Sequence, residues 1–194
     1  MTLRDHLNEL RRTLVRSAIV MAVLFALGIV FDHVLLEFVW APWNETREAF
    51  RAAGKLDPGP LIFLGPASGM VAAFRVAFLA ALILGSPYYL WELWRFIGAG
   101  LLFRERSAVR RAFLPGVALL LVGMAFGYKY LLPTTLSYLL DYIDPGLAVA
   151  QVTVDEYLGF VIALTMIMGF VFETPLIMWA VARAGLMKSS TMGK

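Results

Sequence analysis

Four long apolar segments constrain this chain more than anything else in it: residues 17–39, 67–91, 112–132 and 157–182. A hydrocarbon core of about 30 Å is crossed by roughly 20 mostly apolar residues in helical form, so each segment is long enough. In lipid every backbone amide must find its partner within the chain, and segments this long without strand alternation do so as helices, not barrel strands. Composition agrees, since 60% of the 194 residues are hydrophobic and only 16% charged, whereas soluble domains carry about a quarter charged. The expected fold class is all-α and polytopic, one membrane domain over residues 1–194.

The first apolar run comes after an organised charged segment and ends without a small-x-small cleavage site, so it is expected to stay as a span. The chain has no cysteine, which excludes disulfides, thiol catalysis and thiolate metal sites. His6 and His33 are too few and too far apart for a metal cage. The net charge of +3 comes from bases in short loops beside the spans, where topology accounts for it without nucleic acid. No cofactor, metal or enzymatic activity is implied.

Those bases are unevenly shared. Arg4, Arg11, Arg12 and Arg16 precede span one, Arg95, Arg104, Arg106, Arg110 and Arg111 separate spans two and three, and Arg183, Lys188 and Lys194 come after span four. The opposite loops hold Arg47, Arg51 and Lys55 with most of the acids. Because positive loops stay inside, both termini are expected in the cytoplasm. Residues 40–66, with DPGP at 57–60, read as an external loop with turns, and DYIDPG at 141–146 as a second turn.

Residues 1–16 place Leu3, Leu7, Leu10 and Leu14 on one helical face and charges elsewhere, which predicts an amphipathic helix on the cytoplasmic surface. Arg75, near the outer end of span two, is expected to snorkel to the headgroups. Between spans two and three, LWELWRFIGAGLLFRERSAVRR mixes aromatics with charge, and Glu105 sits between Arg104 and Arg106. Glu9 and Glu105 share the cytoplasmic side, where two carboxylates suit the planar fork of arginine. Glu173, in GFVFETPL, lies too deep in span four to reach either surface, and such a group marks a functional position by default. Its bland alternative is a carboxyl bonded to a carbonyl freed by Pro175. Pro87, Pro115, Pro133 and Pro175 each remove an N–H and bend a helix, which can build a concave wall.

These residues resemble TatC, the receptor core of the twin-arginine protein translocase. HLNELRRTL at 6–14, WAPW around Pro42, LILGSPYYLWELWRFI at 82–97, FRER around Glu105, GMAFGYKYLLP at 123–133 and GFVFETPL at 169–176 occur in the family's order. The resemblance implies a bundle of kinked helices forming part of a cupped receptor. It implies recognition of twin-arginine signal peptides, and export of folded proteins across the cytoplasmic (inner) membrane on the proton-motive force. Its partners would be the single-span subunits TatA and TatB, further TatC copies and the lipid bilayer. Carried over, Glu9, Arg11, Phe96 and Glu105 are expected to bind the signal peptide, Glu173 to meet a partner within the membrane, and Pro42, Pro87 and Pro175 to shape the helices.

Two departures stand beside it. The family has six spans, whereas the fourth here leads into MKSSTMGK, so the last two, with the fifth-span surface that docks TatB, are expected to be absent. Ala99 takes the place of the usual proline after Phe96 and Ile97. Two competing readings are a proton-coupled small-solute transporter with Glu173 as relay and an incomplete, nonfunctional fragment.

Overall fold

A computed structural model describes residues 3–100, 103–142 and 151–183 of the chain. Nearly all of them are helical: α1 Leu3–Val30, α2 Asp32–Ala52, α3 Ser68–Gly100, α4 Phe103–Phe126, α5 Leu132–Asp141 and α6 Val154–Arg183, with a π-helical turn Gly127–Leu131 joining α4 to α5. Four stretches are long and apolar enough to cross a membrane, Leu7–Val30, Ser68–Phe96, Phe113–Asp141 and Val154–Trp179. The third runs through α4, the π turn and α5. The expected turn at 141–146 and the segment MKSSTMGK lie largely or wholly outside the described residues.

Two antiparallel pairs make the bundle, α1 on α3 and α4 on α6. Lipid is as apolar as leucine, so close packing rather than water exclusion must hold such pairs, and small residues allow it. On α4 a Cβ at Gly123 would stand 2.6 Å from the Met168 carbonyl oxygen, and one on Gly127 of the π turn 3.0 Å from that of Leu164. Only glycine admits α6 this closely. We call the end where α1 begins proximal and the other distal.

The distal end differs from the loop expected over residues 40–66. Helix α2 continues to Ala52, and turns are confined to the residues beyond it, with positive φ at Gly54 and Gly59. The reason is amphipathicity. Val39, Trp43, Thr46 and Phe50 recur at helical spacing and are buried, while Glu45 and Glu48 face outward. Trp43 meets Tyr157 edge to face, ring centroids 5.7 Å apart, and both belong to the distal core.

Polar ties then fix the loop. Asp57 accepts from Arg47 at 2.9 Å, from the Gly59 N–H at 3.0 Å and from Arg51, and these bonds, Arg47's foremost, hold its carboxyl well below the usual carboxylate range. Ile62 donates to the Val152 carbonyl at 3.2 Å and accepts from Val154 N–H at 3.0 Å, joining the loop to the start of α6. That start is a capping box: Thr153 Oγ1 accepts from Glu156 N–H, and Glu156 accepts in return from Thr153 N–H, both at 3.2 Å. Arg75, expected to snorkel, pairs with Asp155 of α6 at 2.8 Å.

Prolines 42, 87, 115 and 175 lie inside α2, α3, α4 and α6. Each leaves the carbonyl four residues earlier without its helical donor. For Pro42 that carbonyl is Phe38's, and it accepts the Tyr128 hydroxyl; the adjacent Val39 carbonyl accepts the Tyr157 hydroxyl at 2.7 Å. For Pro87 it is Ile83's, which accepts Ser86 Oγ at 2.7 Å. Pro133 comes just after the π turn, whose wider coil relieves the clash its ring would make with the preceding turn.

Candidate functional site

At the proximal end α1 turns a polar face inward. Leu7 and Leu14 are exposed at 60% each, toward where lipid would lie, while Glu9, Thr13 and Arg16, spaced i, i+4 and i+7, run down the side facing α3. What draws that polar stripe inward is Glu92 of α3, only 2% exposed. Its carboxylate accepts from the Tyr88 hydroxyl at 3.1 Å and from Thr13 Oγ1 at 3.4 Å. It pairs with Arg95 at 3.0 Å and, more loosely, with Arg16 at 3.9 Å. A buried carboxylate needs both charge and hydrogen-bond partners, and two elements supply them here.

The register of this contact places the residues singled out from the sequence. Gly28 lies against Ala77 and Thr13 reaches Glu92, so the same antiparallel pairing sets Glu9 level with Phe96. Glu9 is partly buried, and its Oε2 is enclosed with no hydrogen-bond partner among the described residues. Phe96 is partly buried and Arg11 exposed. The Glu105 side chain lies outside the described residues; its backbone belongs to the first turn of α4, which begins soon after α3 ends. The structure thus gathers Glu9, Phe96 and, unannounced by the sequence, Glu92. The signal was present in YYLWELWR: Tyr88 and Arg95 stand at i−4 and i+3 from Glu92.

Glu173 lies apart from this group, on α6. It is 7% exposed and faces α4, its carboxyl oxygens 3.7 and 3.8 Å from where a Gly116 Cβ would stand. Oε1 has no hydrogen-bond partner among the described residues, so this oxygen is not satisfying the chain's own polar groups. Pro175 frees the carbonyl of Val171, one helical turn earlier, and Glu173 Oε1 makes no bond to it.

Beside α2 the helices line an open, mostly apolar pocket of about 620 Å³, with Pro42, Ile83, Met124 and Val161 in its walls and Glu45 and Lys129 among its polar groups. Thr165, 3% exposed, lines it with a hydroxyl that has no partner among the described residues. Glu173 is not among the lining residues. Among the described residues no group of histidines and acids could hold a metal ion.

Four spans, proline-bent helices and polar side chains kept at two buried stations define a polytopic helical membrane protein. Similarity to known proteins sharpens this. A family model described as Sec-independent protein translocase protein (TatC) matches residues 5–194, and the chain belongs to that family. Its Deinococcus radiodurans relative, the Sec-independent protein translocase protein TatC, is 30% identical over 188 residues, covering 97% of this chain and 67% of its own. The Bacillus subtilis protein TatCd is also 30% identical, over 190 residues, with 97% and 72% covered. A crystal structure of the twin-arginine translocase receptor TatC superposes with a TM-score of 0.81 at 28% identity, covering 94% of this chain and 77% of that one.

Proposed function

We propose that this chain is a twin-arginine signal-peptide receptor and core subunit of a translocase that moves folded proteins across the cytoplasmic membrane on the proton-motive force. The observation that carries the reading is the proximal carboxylate Glu9, enclosed yet without a partner at Oε2 among the described residues, and level with Phe96. A cationic motif approaching a face rich in arginine needs such an acid to be preferred. Glu105 is the second acid of the site, Arg11 flanks it, and Phe96 packs beside the peptide. Glu173 offers Oε1, without a partner among the described residues, to a polar group of a partner helix, for which TatA, TatB and other TatC copies are the candidates. Binding and assembly, not bond-making chemistry, are the work proposed, with both termini in the cytoplasm. The small-solute reading is weakened by Glu173 standing outside the cavity.

Crosslinking of signal peptides tests this. A peptide with an Arg-Arg pair is expected to crosslink more strongly than Lys-Lys, and Lys-Lys more than Gln-Gln, because lysine lacks the planar fork. Glu9→Ala and Glu105→Ala, with membrane insertion verified, should collapse that order. Unchanged discrimination in both variants would reject the site.

A further inference from the structure

Glu92 carries no role in the receptor reading, yet it is the most heavily partnered acid described at the proximal end. We propose that Glu92 is a third carboxylate of the arginine-reading site, held ready by the chain's own Arg16 and Arg95, which an incoming guanidinium displaces. The inference rests on that receptor reading and adds a mechanism to it.

Three features support exchange over a permanent clamp. First, neither internal arginine uses the fork it has: Arg95 makes one contact at 3.0 Å from three residues along the same helix, and Arg16 stands at 3.9 Å, beyond hydrogen-bonding range. A guanidinium arriving from outside is free of the helix geometry that limits Arg95 and can approach both oxygens. Second, the acid and its bases differ in exposure. The Glu92 side chain is 3% exposed, whereas those of Arg16 and Arg95 are 49% and 40% exposed. Their heads can swing into water at little cost. Third, Thr13 Oγ1 donates to Oε2 and the Tyr88 hydroxyl to Oε1, so each carboxylate oxygen keeps a hydrogen bond while its cation is replaced. Swapping one guanidinium for another never leaves the buried charge unpaired, which removes the main penalty of binding at a buried acid.

The exchange also has a consequence for the helices. Arg16 and Thr13 belong to α1 and Glu92 to α3, so releasing Arg16 removes one of the polar ties between them. Occupancy by arginine is thereby linked to the α1–α3 junction.

The test measures binding of labelled Arg-Arg and Lys-Lys peptides, each carrying an apolar segment after the basic pair, to the purified chain in lipid nanodiscs. Arg95→Gln and Arg16→Gln remove the internal competitors and should tighten Arg-Arg binding, by about fivefold, the scale of a partly exposed ion pair. Lys-Lys should gain less, which separates exchange from a general loss of positive charge. Glu92→Gln keeps the hydrogen bonds of Thr13 and Tyr88 available and should bring Arg-Arg down to the Lys-Lys level at unchanged helicity. If that variant fails to insert, the two arginine variants decide. Weaker or unchanged Arg-Arg binding in both, or equal gains for both peptides, overturns the exchange. Selectivity lost in Glu9→Ala but indifferent to Arg16→Gln and Arg95→Gln would overturn it alone and leave the receptor reading standing; no selectivity in the parent would remove both.

Discussion

Thr165 shows what a single residue can leave unfinished. A helical threonine ordinarily returns its hydroxyl to a carbonyl one turn back, but here Oγ1 is buried beside an apolar cavity with no partner among the described residues. Leaving a buried hydroxyl unpaired costs free energy that an isosteric methyl does not. Thr165→Val is therefore expected to stabilise the bundle, by about 1 kcal/mol, in reversible unfolding from mixed micelles. A destabilisation of similar size would show that the hydroxyl has a partner in the membrane. No sequence pattern pointed to Thr165, and the acids were unevenly legible. Glu173 stood out because depth in an apolar run can be counted along the chain. Glu92 did not, because it reads as part of an aromatic belt and one of its partners, Thr13, is 79 residues away. Glu9 was singled out by its motif, while its enclosure depends on which face α1 turns to α3, a choice that the amphipathic pattern of residues 1–16 left open.

At the scale of elements, the four apolar helices were readable from length and hydropathy, while α2 was hidden by its proline and its charges. The positions 39, 43, 46 and 50 carried the helical period, but Pro42 argued for a break. The structure resolves that conflict through tertiary donors: the carbonyl that Pro42 frees at Phe38 takes the hydroxyl of Tyr128. A helix-breaking residue is thus converted into an attachment point between α2 and the π turn. Tyr128→Phe should cost about 1 kcal/mol of unfolding free energy in the parent, the usual net worth of such a bond. In Pro42→Ala the new backbone N–H can serve Phe38 itself, and the same Tyr128→Phe substitution should cost clearly less. The double-mutant cycle reads this coupling directly. Additive costs would mean that Tyr128 acts through its ring, stacked on Phe38 with centroids 4.7 Å apart, rather than through its hydroxyl.

For the molecule as a whole, the two ends of the bundle differ in kind. The distal end is closed by α2, by the loop that Asp57 gathers onto Arg47 and Arg51, and by the Lys55–Asp141 and Arg75–Asp155 pairs, so its bases there are matched with acids. At the proximal end the arginines outnumber their acids, with twelve bases in the segments flanking it against three in the distal loops. Unmatched lysine and arginine beside a span are what retain a loop in the cytoplasm. The proximal end, with Glu9 and Glu92, is accordingly expected to face the cytoplasm, where a signal peptide first meets the membrane. The chain contains no cysteine, so single replacements report position without background. Ala52 is exposed at the end of α2, and Ser107 lies in the first turns of α4, at the opposite end of the bundle. In intact cells Ala52→Cys should react with a membrane-impermeant maleimide, whereas Ser107→Cys should react only after the membrane is opened. The reverse pattern would place Glu9 and Glu92 on the wrong side of the membrane and exclude the proposed receptor that captures its cargo before transport.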